Sequence, residues 1–230
     1  MTIDFLKAEV ASTARMLSVA GLVEAFGHVS ARLEGGGFLI TPTLPMLSAA
    51  ATTIVTVNSH DVVVEDPTAA APLELPLHGA IYRSRPDVSA ICRGHGPAMV
   101  RWGLDTRPVP LLHGLGAIAG EVVSVHPALD LIASRSLGDD VAVTLDANYA
   151  ALLLANGGFA VGRDLLEAAT RLWFLEERAA IALDSDVADA PVGDWLSRLT
   201  YTAVELERAK SWFLARFGPP DPNLQADLTQ

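Results

Sequence analysis

The sequence has little of several features that would point to particular classes of protein. It contains 1 cysteine in 230 residues, so no disulfide can form within the chain. That residue, Cys92, lies in an apolar run, which predicts a buried, inert thiol rather than a nucleophile. Basic residues number 16 against 27 acidic ones, for a formal net charge of −11. Because such an acidic chain repels other polyanions, we expect neither a nucleic-acid partner nor a membrane partner.

Long apolar runs are also absent. No stretch reaches the roughly 18 consecutive apolar residues of a membrane-spanning helix, and residues 1–7 lack the apolar segment of a signal peptide. The location expected from these absences is the cytoplasm. The chain is 50% hydrophobic and 19% charged, which is typical of a globular protein with a substantial core. We expect one domain over residues 1–218 and a mobile tail over 219–230.

The stretch from Glu74 to Pro97 carries the most informative pattern. Pro76 suits the first turn of a helix, and Arg85-Pro86 should end that helix, because the residue before a proline avoids the α conformation. Residues 88–92 are a short apolar run typical of a strand, and Arg93-Gly94-His95-Gly96-Pro97 follows it. When the helix packs back on the strand, the acid at its start can meet the basic cluster, which is a way to build a site.

This stretch resembles the class II aldolase/adducin family. In that family a Glu precedes a helix that ends in an Arg-Pro-Asp-Val-like turn, and a strand then ends in His-Thr-His-Pro. The interval from Glu74 to Arg93 is the family's interval between its Glu and its first histidine. Two other segments match, Gly27-His28-Val29-Ser30 and Leu39-Ile40-Thr41-Pro42. The resemblance covers roughly residues 5–183.

The resemblance implies an α/β fold: a class II aldolase-like three-layer αβα single domain with a central mixed, mainly antiparallel sheet. It also implies a homo-oligomer, in the family's usual form a tetramer with sites at subunit interfaces. Apolar patterning predicts strands at 53–57, 62–64 and 122–125 and helices at 127–137, 165–183 and 194–217.

The family holds a divalent metal on three histidines, and this chain keeps one of them. The matching positions are Arg93, His95 and Gly157, the last lying where the family has Asn-His-Gly. A catalytic zinc normally has three protein ligands, and a guanidinium repels a cation rather than binding it. The resemblance therefore implies a divalent metal, either zinc, manganese, cobalt or iron, with His95 as a ligand. Arg93 and Gly157 at the other two positions argue against that metal. We expect no other cofactor. Three further histidines could rebuild a site: His28, His113 and His126.

Two segments that would bind a substrate phosphate have also changed. The phosphate-binding aldolases carry Ser-Gly where this chain has Thr43-Leu44-Pro45, and a serine pair before the Glu is replaced by Ala69-Ala70-Ala71-Pro72. Hydroxyls and glycine amides are the donors that a phosphate needs. These losses argue against a sugar phosphate. Because the guanidinium of Arg93 can bind a carboxylate in bidentate fashion, the expected partner is a small, non-phosphorylated carboxylate.

The resemblance implies a carbon–carbon lyase, of aldolase or decarboxylase type, that acts on a small carboxylate or an aromatic hydroxy acid. The Gly-His-Val-Ser and Leu-Ile-Thr-Pro segments are more similar to the decarboxylase-type branch. We expect Glu74 to be the acid/base, Arg93 to bind a carboxylate or stabilise an enolate in place of the metal, and His95 to transfer a proton. The expected substrate-binding residues are His28, Ser30, Thr41, His113 and Asn156.

Two alternatives remain open. The family's catalytic tyrosine falls at Gly114 here, and adducins keep the fold without the enzyme, so the chain could be a non-catalytic ligand-binding or assembly protein. Arg93 would then be a structural partner of Glu74. The other alternative is a different enzyme class on the same scaffold, such as an isomerase or an oxygenase of a biosynthetic pathway. Of the remaining histidines, we expect His78 to be packed on its helix and His126 to be a surface or cap residue.

Overall fold

The computed structural model describes residues 2–64, 70–185 and 199–219. The helices are α1 (Ile3–Val19), α2 (Leu75–Ser84), α3 (Pro97–Trp102), α4 (Arg135–Leu145), α5 (Leu165–Asp184) and α6 (Thr202–Phe217). The strands are β1 (His28–Arg32), β2 (Phe38–Ile40), β3 (Val55–Val57), β4 (Ala90–Gly94), β5 (Ser124–His126), β6 (Ala150–Leu153) and β7 (Gly158–Gly162).

The described residues form one seven-stranded sheet, in the order β3-β2-β1-β4-β7-β6-β5. Neighbouring strands run antiparallel, except that β5 and β6 are parallel. The prediction of a mixed, mainly antiparallel sheet is confirmed. At its centre, β1 and β4 pair with His28 opposite Arg93 and Ser30 opposite Ile91.

Helices cover both faces of this sheet. On one face α1, α3 and α5 pack against strand residues such as Val29 and Cys92. On the other face α2 and α4 pack against residues such as Ile91 and Phe159. Because alternate strand residues point to opposite faces, each strand contributes to both cores. The predicted three-layer αβα arrangement is confirmed, and α6 packs outside α5 through the contact of Phe213 with Trp173.

The sequence misplaces one helix. The prediction of a helix at 127–137 is wrong, since α4 begins at Arg135, where the Ser134 hydroxyl accepts a hydrogen bond from Leu137 N and so caps the first turn. The strand predicted at 122–125 is present as β5, Ser124–His126. The strand predicted at 53–57 is shortened by a 3-10 turn at Ala51–Thr53, and that predicted at 62–64 forms only an isolated bridge.

The long helix predicted at 165–183 is present as α5, which Asp164 caps through a hydrogen bond from Glu167 N. The last helix is expected at 194–217, and α6 covers Thr202–Phe217 of it. Residues 194–198 and most of the expected tail, 220–230, lie outside the described residues. Of the helices in the three described segments, none has the length and apolar character to cross a membrane.

Candidate active site

Three elements bring polar side chains to one place on the α2 face of the sheet. Strand β1 alternates, so that Val29 packs into the core on the opposite face while its polar neighbours face α2. Helix α2 carries Glu74, His78 and Tyr82 at i, i+4 and i+8 spacing, which places them on one side of the helix and its start. Strand β4 adds Arg93 opposite His28. The polar residues that alternate along β1 therefore face the polar residues that recur at helical spacing along α2.

Glu74 lies at the residue before α2 and is 4% exposed. Its Oε2 is 3.6 Å from His28 Nε2 and 3.4 Å from Arg93 Nε, which is an ion-pair distance rather than a well-directed hydrogen bond. Its Oε1 is buried and has no hydrogen-bond partner among the described residues. A buried carboxylate oxygen without a donor is costly, which marks Glu74 as a candidate functional residue rather than a stabilising one.

Arg93 is completely buried, and main-chain carbonyls occupy both of its terminal nitrogens. Nη1 donates to Gly94 O at 2.6 Å and to Gly158 O at 3.3 Å, and Nη2 donates to Asn156 O at 2.6 Å. The guanidinium thus ties the end of β4 to the turn between β6 and β7. The expectation that Arg93 binds a ligand carboxylate directly is not supported by this position, because the guanidinium is buried, does not line the cavity and donates three of its N–H groups to the main chain.

Gly157 shows why the family's third histidine has no counterpart here. Its φ of +71° is a left-handed conformation that favours glycine. A Cβ at this position would clash with the Gly94 carbonyl oxygen and would lie 2.9 Å from His95 Cα and 3.2 Å from Arg93 Nη1. A side chain at position 157 would therefore crowd the Arg93 guanidinium, so glycine at this position leaves room for the arginine.

The residues at the expected metal position do not fit a divalent metal. His95 is the one expected position that still carries a ligand side chain, and the cationic Arg93 fills the space beside it. Within residues 2–64, 70–185 and 199–219, no group of three or more His, Cys, Asp or Glu side chains could hold a metal ion. Zinc and its relatives require such a group, so this donor set does not support the implied zinc, manganese, cobalt or iron.

His95 and Asn156 lie at the open side of the site. His95 Nδ1 is 3.3 Å from the Phe26 carbonyl oxygen. Burial and the positive charge of Arg93 lower the pKa of His95 to about 4, against smaller opposing effects of the Phe26 carbonyl and the Asn156 side chain. His95 is therefore a neutral imidazole at neutral pH.

A cavity of about 450 Å³ opens in front of Glu74. This volume suits a small ligand. Its polar lining comes from Thr43, His28, Glu74, His95 and Asn156, and the last four of these are predicted site residues that the fold brings together. The apolar lining residues are Ala25, Phe26, Leu44, Pro45, Pro72, Leu73 and Leu131. Arg93 lies behind this wall rather than on it.

His28 leads from the cavity into a buried chain of hydrogen bonds that the sequence did not reveal. His28 Nδ1 is 3.0 Å from His78 Nε2, and His78 Nδ1 is 2.7 Å from Ser30 Oγ. Ser30 Oγ is in turn 2.7 Å from the Tyr82 hydroxyl. Burial, followed by the charge of Arg93, lowers the pKa of His78 to about 3, and burial also holds the pKa of His28 well below its usual value. His78 is packed, as expected, and it also links a site residue to Ser30 and Tyr82.

The structure does not bring every predicted residue to the cavity. Thr41 is buried and its hydroxyl accepts a hydrogen bond from Val29 N at 3.0 Å, so it joins β1 to the end of β2. His113 lies beside α5, with Nε2 3.1 Å from Glu177 Oε1. Neither lines the cavity. The expectation that Thr41 and His113 contact the ligand is not supported by these positions, and His113 is not available to rebuild a metal site with His95.

His126 also lies elsewhere than predicted. It is 5% exposed, lies on β5, and its Nδ1 is 2.8 Å from Thr144 Oγ1 on α4. It is therefore a buried residue between strand and helix rather than a surface or cap residue.

Known proteins give independent information on this fold and site. The family model described as "Class II Aldolase and Adducin N-terminal domain" matches residues 8–183. An L-fuculose phosphate aldolase of Escherichia coli O6:H1 is 30% identical over 157 residues, which are 68% of this chain and 70% of that protein. A 3,4-dihydroxyphthalate decarboxylase of Terrabacter sp. is 28% identical over 202 residues, which are 80% of this chain and 83% of that protein.

A solved structure matches at the level of the fold. The aldolase II superfamily protein from Pseudomonas syringae superposes with a TM-score of 0.79 at 19% sequence identity, over 93% of this chain and 92% of that one. The family model, the two relatives and the sheet order agree with the resemblance carried by Glu74, His95 and the Gly-His-Val-Ser segment. The chain belongs to the class II aldolase and adducin family.

Proposed function

We propose that the protein is a carbon–carbon lyase, of decarboxylase or aldolase type, that acts on a small, non-phosphorylated carboxylate or an aromatic hydroxy acid. The observation that carries this proposal is the Glu74 carboxylate, which is buried at the wall of the cavity with Oε1 unpaired among the described residues. Both reaction types occur among the relatives, one named as an aldolase and one as a decarboxylase.

The walls of the cavity favour a ligand without phosphate. Thr43 is the residue that stands closest to the aldolases' phosphate-binding serine, and both its N–H and its hydroxyl donate to Ala70 O, at 2.9 and 3.0 Å. Pro45 and Pro72 have no N–H to offer. No lysine or arginine of the described residues lines the cavity, so a dianionic phosphate would lack donors and counter-charge.

Decarboxylation and retro-aldol cleavage share the chemistry that this site would supply. In each, a carbon–carbon bond breaks, the electron pair passes into an enolate, and the carbon later takes a proton. Decarboxylation releases carbon dioxide. Retro-aldol cleavage first gives up a hydroxyl proton and releases an aldehyde or ketone. Glu74 would accept or deliver that proton through its carboxylate, which lies at the cavity wall.

The neutral donors of the cavity would hold the developing enolate oxygen. The candidates are the imidazole N–H of His28 and the amide of Asn156, both of which line the cavity. The single N–H of a neutral His95 points from Nδ1 to the Phe26 carbonyl oxygen, so His95 Nε2 would accept a proton rather than donate one. Arg93 would act from behind Glu74 as a fixed positive charge, without touching the substrate. The apolar walls would leave a substrate carboxylate poorly solvated, which favours its loss as uncharged carbon dioxide.

The test compares two panels of compounds with the purified protein. One holds hydroxylated carboxylates, including 3,4-dihydroxyphthalate, and the other holds phosphorylated sugars, including L-fuculose 1-phosphate, with products followed by mass spectrometry. We expect cleavage in the first panel, lost in Glu74→Gln and retained in the matched surface variant Glu34→Gln, since Glu34 is exposed in the β1–β2 turn. Cleavage of the phosphorylated panel alone would overturn the proposal.

A second candidate function is ligand binding without turnover. The observation that favours it is that both terminal nitrogens of Arg93 donate to main-chain carbonyls, which would make this residue a structural element of the site. The same two panels distinguish the two functions when calorimetry is added. Binding of a carboxylate with no product from any compound, in wild type and Glu74→Gln alike, would favour the binding protein.

For the assembly we propose the homotetramer implied by the family resemblance. Exposed apolar side chains at the mouth of the cavity support burial by another subunit, since Phe26 is 75% and Leu73 is 70% exposed. Light scattering coupled to size-exclusion chromatography tests it. A mass of four chains is expected, and a monomer at micromolar concentration would contradict it.

A further inference from the structure

The buried hydrogen-bond chain of His28, His78, Ser30 and Tyr82 has a direction that can be derived from its closed end. Tyr82 is a buried residue of α2, and Ser30 Oγ on β1 is the hydrogen-bond partner of its hydroxyl within the described residues. A phenol carries one hydrogen and must donate it to avoid a buried unsatisfied donor. Tyr82 therefore donates to Ser30.

The remaining donors follow one after another. Ser30 has one hydroxyl hydrogen, and with Tyr82 donating to it, that hydrogen goes to His78 Nδ1. His78 is neutral, so its hydrogen is on Nε2, and that N–H donates to His28 Nδ1. His28, also neutral, then carries its own hydrogen on Nε2. The opposite direction would leave the Tyr82 O–H without an acceptor among the described residues.

Packing holds the members of this chain in place. The Phe38 ring stacks on His78 with centroids 6.3 Å apart and contacts the Tyr82 ring at 5.2 Å. The Arg32 guanidinium lies 4.7 Å from the centre of the Tyr82 ring. The imidazole of His78 therefore cannot turn away to find another partner without disturbing the core beneath it.

We propose that Tyr82, Ser30 and His78 are positioning residues that fix His28 as the neutral tautomer with its hydrogen on Nε2, so that His28 presents a hydrogen-bond donor to the ligand. His28 Nε2 is 3.6 Å from Glu74 Oε2, too far for a full hydrogen bond, so this N–H is free to turn to a ligand oxygen.

This assignment narrows the class of ligand, and that part rests on the proposed function. His28 offers a donor, while the Glu74 carboxylate beside it lines the same cavity and offers an acceptor. The matching ligand has an acceptor oxygen next to a hydroxyl, as in an α-hydroxy acid, an ortho-hydroxylated aromatic acid or a catechol. A ligand with two acceptor oxygens and no hydroxyl would fit poorly, because one of its oxygens would face the Glu74 carboxylate and be repelled by it.

Nitrogen NMR of the ligand-free protein tests the tautomer. Protein labelled with ¹⁵N in histidine is examined by long-range ¹H–¹⁵N correlation near neutral pH, and His28 is assigned through its backbone and by the signals missing from His28→Gln. We expect a protonated nitrogen at Nε2 and an unprotonated one at Nδ1. The reverse pattern in the wild type would overturn the proposal whether or not any variant folds.

Two variants test whether the chain sets the tautomer. In His78→Leu the His28 nitrogens should move toward averaged positions, because the donor to Nδ1 is gone. In His126→Leu, which removes a buried histidine bonded to Thr144 elsewhere, they should not move. A His28 that stays wholly Nε2-protonated in His78→Leu would show that Glu74 alone sets the tautomer. These spectra need no substrate, so a protein without lyase activity leaves this inference standing, and a reversed tautomer leaves turnover by Glu74 standing.

Discussion

The Arg93 guanidinium lies directly behind the Glu74 carboxylate, with Nε 3.4 Å from Oε2. Its other nitrogens are bound to the carbonyl oxygens of Gly94, Asn156 and Gly158. One buried cation therefore connects the proposed acid/base, the end of β4 and the β6–β7 turn. In the metal-dependent pattern of the family, the histidines of these same two segments converge on a metal. Here the Arg93 guanidinium joins these two segments.

Removing this cation should destabilise the protein strongly. Arg93→Ala leaves the Glu74 charge and three carbonyl oxygens without their partner, and breaking a buried ion pair costs about 3–5 kcal/mol of unfolding free energy. Urea unfolding followed by circular dichroism measures the loss. Arg107→Ala, at an exposed ion pair with Asp105, is the control and should keep the wild-type midpoint. Equal midpoints for the two variants would show that Arg93 is not structural.

A methyl group at position 157 should cost more than backbone strain alone. Gly157→Ala and Gly35→Ala both place alanine at positive φ, at about 1–2 kcal/mol each. The new Cβ clashes with Gly94 O in the first variant and has nothing within 4 Å in the second. We expect an additional loss of about 1–3 kcal/mol for Gly157→Ala, seen as a lower melting temperature. Equal melting temperatures for the two variants would mean that the space around position 157 can accept a methyl group.

Metal content should stay well below one ion per chain. After incubation of untagged protein with zinc, manganese, cobalt or iron and removal of free metal, elemental mass spectrometry should find no stoichiometric binding, because His95 lacks ligand partners among the described residues. The comparison is the same measurement on His95→Ala, which should be unchanged. One ion per chain in the wild type, lost in His95→Ala, would contradict the arginine-centred site.

The buried histidines make stability depend on pH. The pKa of His78 is about 3 in the folded protein and about 6.5 when unfolded, so the unfolded chain binds the proton that the folded one refuses. Its contribution is fully present above about pH 6.5 and falls by roughly 1 kcal/mol per pH unit as the pH decreases towards the folded value.

Urea midpoints between about pH 4 and 7 measure this slope. His78→Gln should flatten it relative to wild type, whereas His60→Gln, in an exposed turn, should leave it as it is. An unchanged slope in His78→Gln would show that folding does not lower the pKa of His78.

The sequence anticipates those parts of the site that one continuous pattern carries. Glu74, the helix after it and the strand ending at Arg93 and His95 belong to one stretch, so their meeting follows from the chain folding back on itself. The direction of the Arg93 side chain does not follow, because it depends on carbonyl groups of a turn that is distant in sequence. A long basic side chain at a strand end can face either a ligand or the main chain.

The His78 contacts are missed for a similar reason. They arise where β1 crosses under α2, and the partners in such a crossing depend on packing between separate elements. A signal was present, since Glu74, His78 and Tyr82 recur at helical spacing while β1 alternates polar and apolar residues. The misplaced helix at 127–137 has a local cause, because the cap at Ser134 determines where α4 begins.

The most direct test of the account is the rate of product formation by wild type and Glu74→Gln on a cleaved carboxylate, in heavy water, with the same folded fraction in both. We predict that the wild type places one deuterium on the carbon that loses its bond. Glu74→Gln should still bind the carboxylate and lose about 10²- to 10⁴-fold in rate, as expected when a positioned acid/base is removed. Product formation at the wild-type rate by Glu74→Gln would contradict the central claim that Glu74 moves the proton.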